Sequence, residues 1–167
     1  MDDRRTQWYI GAPNGIVLCV NAVSGGRVQG ELYHSYSRDP VPFSNMGEMT
    51  FAMERVYDAL KFPHPSTNTR TFVPAKSAGE VFQERSRIMS DESLLSKHGD
   101  IGTFIVRVQH RQNKTWQGRI TWADKNKTLN FRSIWEMVHL MENALYENAT
   151  PEEMPQVESW EDEEEDK

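Results

Sequence analysis

The sequence predicts an α+β fold made of two β-β-β-α units, and three observations predict it. The first is a match of the chain to itself. Shifted by 88 positions, Ile16–Tyr57 falls on Phe104–Leu145 without a gap, and eight of the 42 pairs are identical, among them Gln29/Gln117, Gly30/Gly118, Phe43/Phe131 and Met53/Met141. A shared spacing of strands, turn and helix explains this better than chance does. The second is an order of apolar runs, broken by turn residues, that occurs twice. The third is a capping box ahead of each helical stretch, Asn45 with Glu48 and Ser133 with Glu136, at the same relative positions. The two units are expected to be related by a pseudo-twofold, with their helices on one core and their sheets free to join edge to edge.

The first unit, residues 1–60, opens with the apolar run Ile16–Val20. Ser24-Gly25-Gly26 turns the chain, because glycine adopts positive φ cheaply. Val28–Tyr36 returns as a hairpin and Val41–Phe43 adds a short third strand. A helix then starts near Asn45, and Met49, Ala52, Met53, Val56, Tyr57 and Leu60 recur at helical spacing. Residues 61–103 read as a linker. Its proline-rich start cannot hold a helix or a central strand. A short helix from about Asp91 to Lys97 is expected within it, capped by Ser90 and ended by Gly99. The second unit, residues 104–148, repeats the order with strands Phe104–His110, Trp116–Trp122 and Thr128–Phe131. Its helix carries Met137, Leu140, Met141, Ala144 and Leu145. Residues 149–167 read as an acidic, disordered tail.

Charge separates the tail from the body. The net charge is −6, yet residues 151–167 hold nine acids and one base. The rest of the chain is close to neutral, so the tail is a separate electrostatic object. A single cysteine, Cys19, excludes an intrachain disulfide and leaves no cysteine cluster for zinc. The start of the chain carries no signal-peptide pattern and no run is long enough to span a membrane, so a cytoplasmic location and no membrane partner are expected.

The candidate site is the polar side of the second sheet. If Val106, Val108, Trp116, Ile120, Trp122, Leu129 and Phe131 pack under the helix, the opposite face holds Arg107, Gln109, Arg111, Gln117, Arg119, Thr121, Thr128, Asn130 and Arg132. From Phe104 to Arg132 there are seven bases and one acid, Asp124. Arginine, glutamine and asparagine pair bidentately with base edges, and arginine and lysine neutralise phosphates. Arg107, Arg111, Arg119 and Arg132 are therefore expected on phosphates or guanines, and Gln109, Gln117 and Asn130 on base edges. Lys114, Lys125 and Lys127 in the turns would add backbone contacts. A half-exposed antiparallel sheet is also polar on its outside for solvation alone. The corresponding face of the first unit, Cys19, Asn21, Val23, Gln29, Glu31 and Tyr33, is not basic. It either binds nothing of this kind or is buried.

Phe104–Leu145 resembles the three-strand-plus-helix DNA-binding units of the plant AP2 and integrase-arm-binding type. The strand Arg107–Arg111, the stretch Trp116–Trp122 and Phe131-Arg132-Ser133 carry the resemblance, which implies an exposed sheet that reads DNA. The chain as a whole is similar to an uncharacterised family of small proteins associated with mobile elements of gut Firmicutes, on Gly102–Gln109, Thr115–Gly118 and Asn130–Ser133. That second resemblance implies no activity.

Enzyme chemistry finds little support. Cys19 stands mid-strand in an apolar run, where a buried, inert thiol is expected. The five histidines show no metal-ligand spacing. Helix capping accounts for Glu48 and Glu136, and core filling for the paired methionines. The expectation is a non-enzymatic binding protein without a cofactor, with nucleic acid favoured. A protein-binding inhibitor or adaptor of a mobile element, directed at a basic partner such as a host nuclease or CRISPR effector, is the alternative. Open strand edges leave room for a homodimer.

Overall fold

The computed structural model describes residues 13–74 and 86–147. The expected acidic tail, like residues 1–12 and 75–85, lies outside the described residues. Among the described residues the fold is α+β, with one six-stranded antiparallel sheet and three helices. The strands are β1 (Ile16–Ser24), β2 (Arg27–His34), β3 (Val41–Phe43), β4 (Gly102–His110), β5 (Gln117–Trp122) and β6 (Lys127–Phe131). The helices are α1 (Met46–Leu60), α2 (Asp91–Leu95) and α3 (Ile134–Leu145).

Strand order is β3-β2-β1-β4-β5-β6, so β1 and β4 form the middle of the sheet. They pair antiparallel, with Ile16 opposite Val106, Val17 opposite Ile105 and Leu18 opposite Phe104. Central position explains their composition. Ile16–Val20 and Gly102–Val106 are buried without interruption, as strands covered on two faces are. The β1–β2 hairpin closes through Gly25 and Gly26, both at positive φ, the backbone that a two-residue hairpin turn needs.

α1 lies across β2 and β3, and α3 across β5 and β6, on the same side of the sheet. Asn45 caps α1 by accepting the Glu48 amide at 2.8 Å, and the Glu48 carboxylate reaches back to the Ser44 amide at 2.7 Å. Ser133 caps α3 by accepting the Glu136 amide at 3.0 Å. Beneath them Ile16, Leu18, Val20, Leu32, Phe43, Met49, Met53 and Tyr57 join Phe104, Val106, Val108, Trp116, Ile120, Phe131, Met137 and Met141 in one apolar cluster.

Two β-bulges break the alternation of faces. One lies between Val20 and Ala22, the other between Val108 and His110. An extra residue moves everything beyond it to the opposite side. Val23, expected on the outer face, therefore packs against the main core.

The short helix α2 is capped by Ser90 as expected, and it has a structural role that its length hides. It sits on the sheet face away from α1 and α3. Leu94 is fully buried there against Val17, Cys19 and Ile105, with Met89, Leu95, Tyr33 and Ala123 around them. The amides of Ile88 and Met89 anchor this segment on the Ser35 carbonyl.

Candidate nucleic-acid interface on the outer face of the sheet

The outer face is the side that carries α2. Register defines its rows. Arg107 of β4 stands directly opposite Arg119 of β5, and Arg119 directly opposite Asn130 of β6. Neighbouring strands lie about 4.8 Å apart, so this row spans about 10 Å across the sheet. Arg119 and Asn130 are exposed and Arg107 is half-buried. Beside it Thr121 and Thr128 share a hydroxyl hydrogen bond of 2.8 Å. Like charges directly opposite one another in a sheet repel, and Arg107 and Arg119 occupy such facing positions.

The other expected site residues separate into three groups. Gln109 and Lys125 are exposed, Gln109 within the β4 bulge and Lys125 in the β5–β6 turn. Arg111 is a correction. It is 6 % exposed and lies on the helix side, because the bulge at Gln109 reverses the alternation before it. Its Nε donates to the Pro63 carbonyl at 2.7 Å, its Nη1 pairs with Asp58 at 2.5 Å, and the guanidinium lies 6.0 Å from the Tyr57 ring centre. It is an internal staple between α1, the segment after it and β4.

The third group points to protein atoms. Lys114 donates to the Thr67 carbonyl and holds the segment after α1. Gln117 locks the β4–β5 turn: its Oε1 accepts the Gln112 amide at 3.0 Å, and its Nε2 donates to the Gln112 carbonyl at 3.0 Å. Arg132 pairs with Glu136 at 3.2 Å. Lys127 lies over the Trp122 ring, 5.9 Å from its centre, on the helix side of β6. Leu129, expected under α3, is 57 % exposed at the margin of a groove. Asp124, the one acid of the stretch, accepts the Thr103 amide at 2.8 Å.

The outer face of β1 and β2 is closed instead. Cys19 is 2 % exposed beneath Leu94, and burial, with Glu31 nearby, pushes its thiol up to about 12. Tyr33 donates to Glu31 at 2.8 Å, and the Lys97 ammonium sits 5.2 Å from the Tyr33 ring centre. Burial and the bond to Glu31 raise the Tyr33 phenol as well. A thiol held neutral under an aliphatic cover is a packing group. Among the described residues no group of three or more His, Cys, Asp or Glu could hold a metal ion, and no helix is long and apolar enough to cross a membrane.

Fold and face together define an α+β protein with one antiparallel sheet, α1 and α3 along one side, and α2 and a cationic row on different parts of the other. Set against protein-family models, curated proteins and solved structures, the chain matches none.

Proposed function

We propose that the chain is a non-enzymatic binding protein and that its ligand is nucleic acid, held on the outer face of β4, β5 and β6. The observation that carries this reading is the placement of Arg107 directly opposite Arg119 with Asn130 next in the row. Like charges at facing positions of a sheet repel, and a bound polyanion relieves that repulsion. Arginines on neighbouring strands, whose backbones lie about 5 Å apart, neutralise phosphates or grip guanine, and asparagine pairs with adenine edges. Gln109 and Lys125 extend the surface. Arg111 takes no part.

Gel shift with a synthetic DNA duplex and a single strand of the same sequence tests the reading. With about three phosphate contacts, affinity falls roughly 40-fold from about 50 to about 200 mM salt. Arg119→Ala weakens binding and lowers the salt slope by about one unit. Its exposed side chain leaves thermal stability within about 0.5 kcal/mol of the parent. Flat affinity across salt, or no shift at low salt, would overturn the proposal.

The composition of residues 151–167, with nine acids, favours a second reading, an inhibitor or adaptor of a mobile element that engages a basic protein. Deleting Glu158–Lys167 separates the two. Loss of partner binding supports the second, and tighter nucleic-acid binding the first.

We also infer that residues 1–60 and 104–148 are duplicated units about a pseudo-twofold, joined by residues 61–103. Register supports this. Val17 pairs with Ile105, 88 positions on, so the β1–β4 ladder contains a pair of positions equivalent under the same shift. The bulges at Asn21 and Gln109 obey that shift, as do the Gly30–Phe43 and Gly118–Phe131 pairs.

A further inference from the structure

The helix side of the sheet holds a groove that the nucleic-acid reading does not use. It lies between α3 and the strands β5 and β6, has a volume of about 370 Å³, and is lined by Trp122, Leu129, Leu140 and Ala144 with Lys127 and Glu147 at its rim. This is the size of a pocket that takes an extended peptide side chain or a small ligand. Beside it, β6 is the last strand of the sheet among the described residues, and residues 127–130 are all exposed. The opposite edge is blunted: β3 has three residues, one of them Pro42, which offers no amide. β6 has neither device, and its Leu129 is 57 % exposed.

We propose that this groove and the β6 edge are the docking site of the chain's own segment Met154–Trp160. Glu147, the last described residue, itself lines the groove, so residues 148–167 leave from its rim. Seven residues from Glu147 to Met154 reach at most about 25 Å. Met154, Val157 and Trp160 are the large apolar side chains of that stretch, and six acids follow within 161–166. The apolar residues match the groove lining, and the acids match Lys127. Tethering at Glu147 supplies an effective concentration on the order of millimolar, which favours this segment over a free peptide of the same chemistry. Extended beside β6 as an added strand, the segment turns Met154 and Trp160 to one face, toward the groove.

Photo-crosslinking in the full chain tests this, with benzoylphenylalanine in place of Trp160 and adducts mapped by mass spectrometry. The expected result is adducts within one chain on Leu129, Leu140 or Ala144, in a yield independent of protein concentration. Leu129→Ser, at an exposed position that leaves the core intact, lowers that yield roughly tenfold, the equivalent of one apolar contact. Adducts between two chains that grow with concentration would overturn the proposal in favour of a second copy. Adducts on the Arg107–Arg119 face, or no defined adduct, would overturn it outright. None of these outcomes depends on nucleic-acid binding.

Discussion

The outer face of β1 and β2 and the outer face of β4 to β6 have the same backbone relations but different surfaces. Gly30 faces Val20 across its hairpin as Gly118 faces Val108, and a Cβ on either glycine would stand 2.0 Å from the Cys19 carbonyl oxygen or 2.1 Å from that of Arg107. On the first face the row contains Cys19 and Glu31, and it is covered by Leu94 of α2 and by Lys97 just beyond that helix. On the second it contains Arg107, Arg119 and Asn130, and remains largely open. The difference shows that exposure here is set by one short segment. Leu94 lands where Val17, Cys19 and Ile105 offer apolar surface, and stops short of the arginines, whose desolvation it could not offset.

The strongest way to break the comparison is to strike the backbone relation on each side. Gly118→Ala and Gly30→Ala each drive a Cβ into a backbone carbonyl rather than a flexible side chain, and each is expected to cost more than about 3 kcal/mol in denaturant unfolding. A large cost on one side only would mean that the two hairpins are not held alike. Leu94→Ala comes next. It removes the one fully buried side chain of a five-residue helix, at a cost of about 2 kcal/mol, the low end for such truncations because the segment can lift as a unit. Cys19 should then react markedly faster with a thiol reagent, while Arg119-dependent binding stays unchanged. Unchanged thiol reactivity would show that α2 is not the cover.

The smallest effect is one of pH. The Cys19 thiol is pushed from 9.0 up to about 12 in the folded chain, chiefly by burial. Below pH 9 both states keep the proton and the contribution is complete. As pH rises past that value the unfolded chain loses the proton first, so stability falls, by up to about 1.4 kcal/mol per pH unit. Cys19→Ala should remove this alkaline slope while leaving the acid side of the profile in place, which urea titration at stepped pH would measure.

Much of the architecture was legible in the residues. Asn45 and Ser133 announce their helices because a side-chain oxygen at that position satisfies amides the helix cannot. Gly25-Gly26 announces its hairpin, and Ser90 announces α2. The candidate face was legible in type and partly misread in membership. Arg107, Arg119 and Asn130 lie where alternation puts them. Arg111 does not, because the bulge at Gln109 carries no mark in residue type that distinguishes it from an ordinary strand position. Gln117, Lys114 and Arg132 are polar residues whose partners, Gln112, Thr67 and Glu136, satisfy them within the protein.

Local chemistry, read along the chain, was enough for the strands, turns, caps and their order, since each depends on residues a few positions apart. Which surfaces stay open was not decided at that range. Arg111 turns inward toward Asp58, 53 positions away, and Cys19 is covered by Leu94, 75 positions away. Such contacts depend on how elements stack in space, and a bulge of one residue or the resting place of one short helix is enough to reverse them.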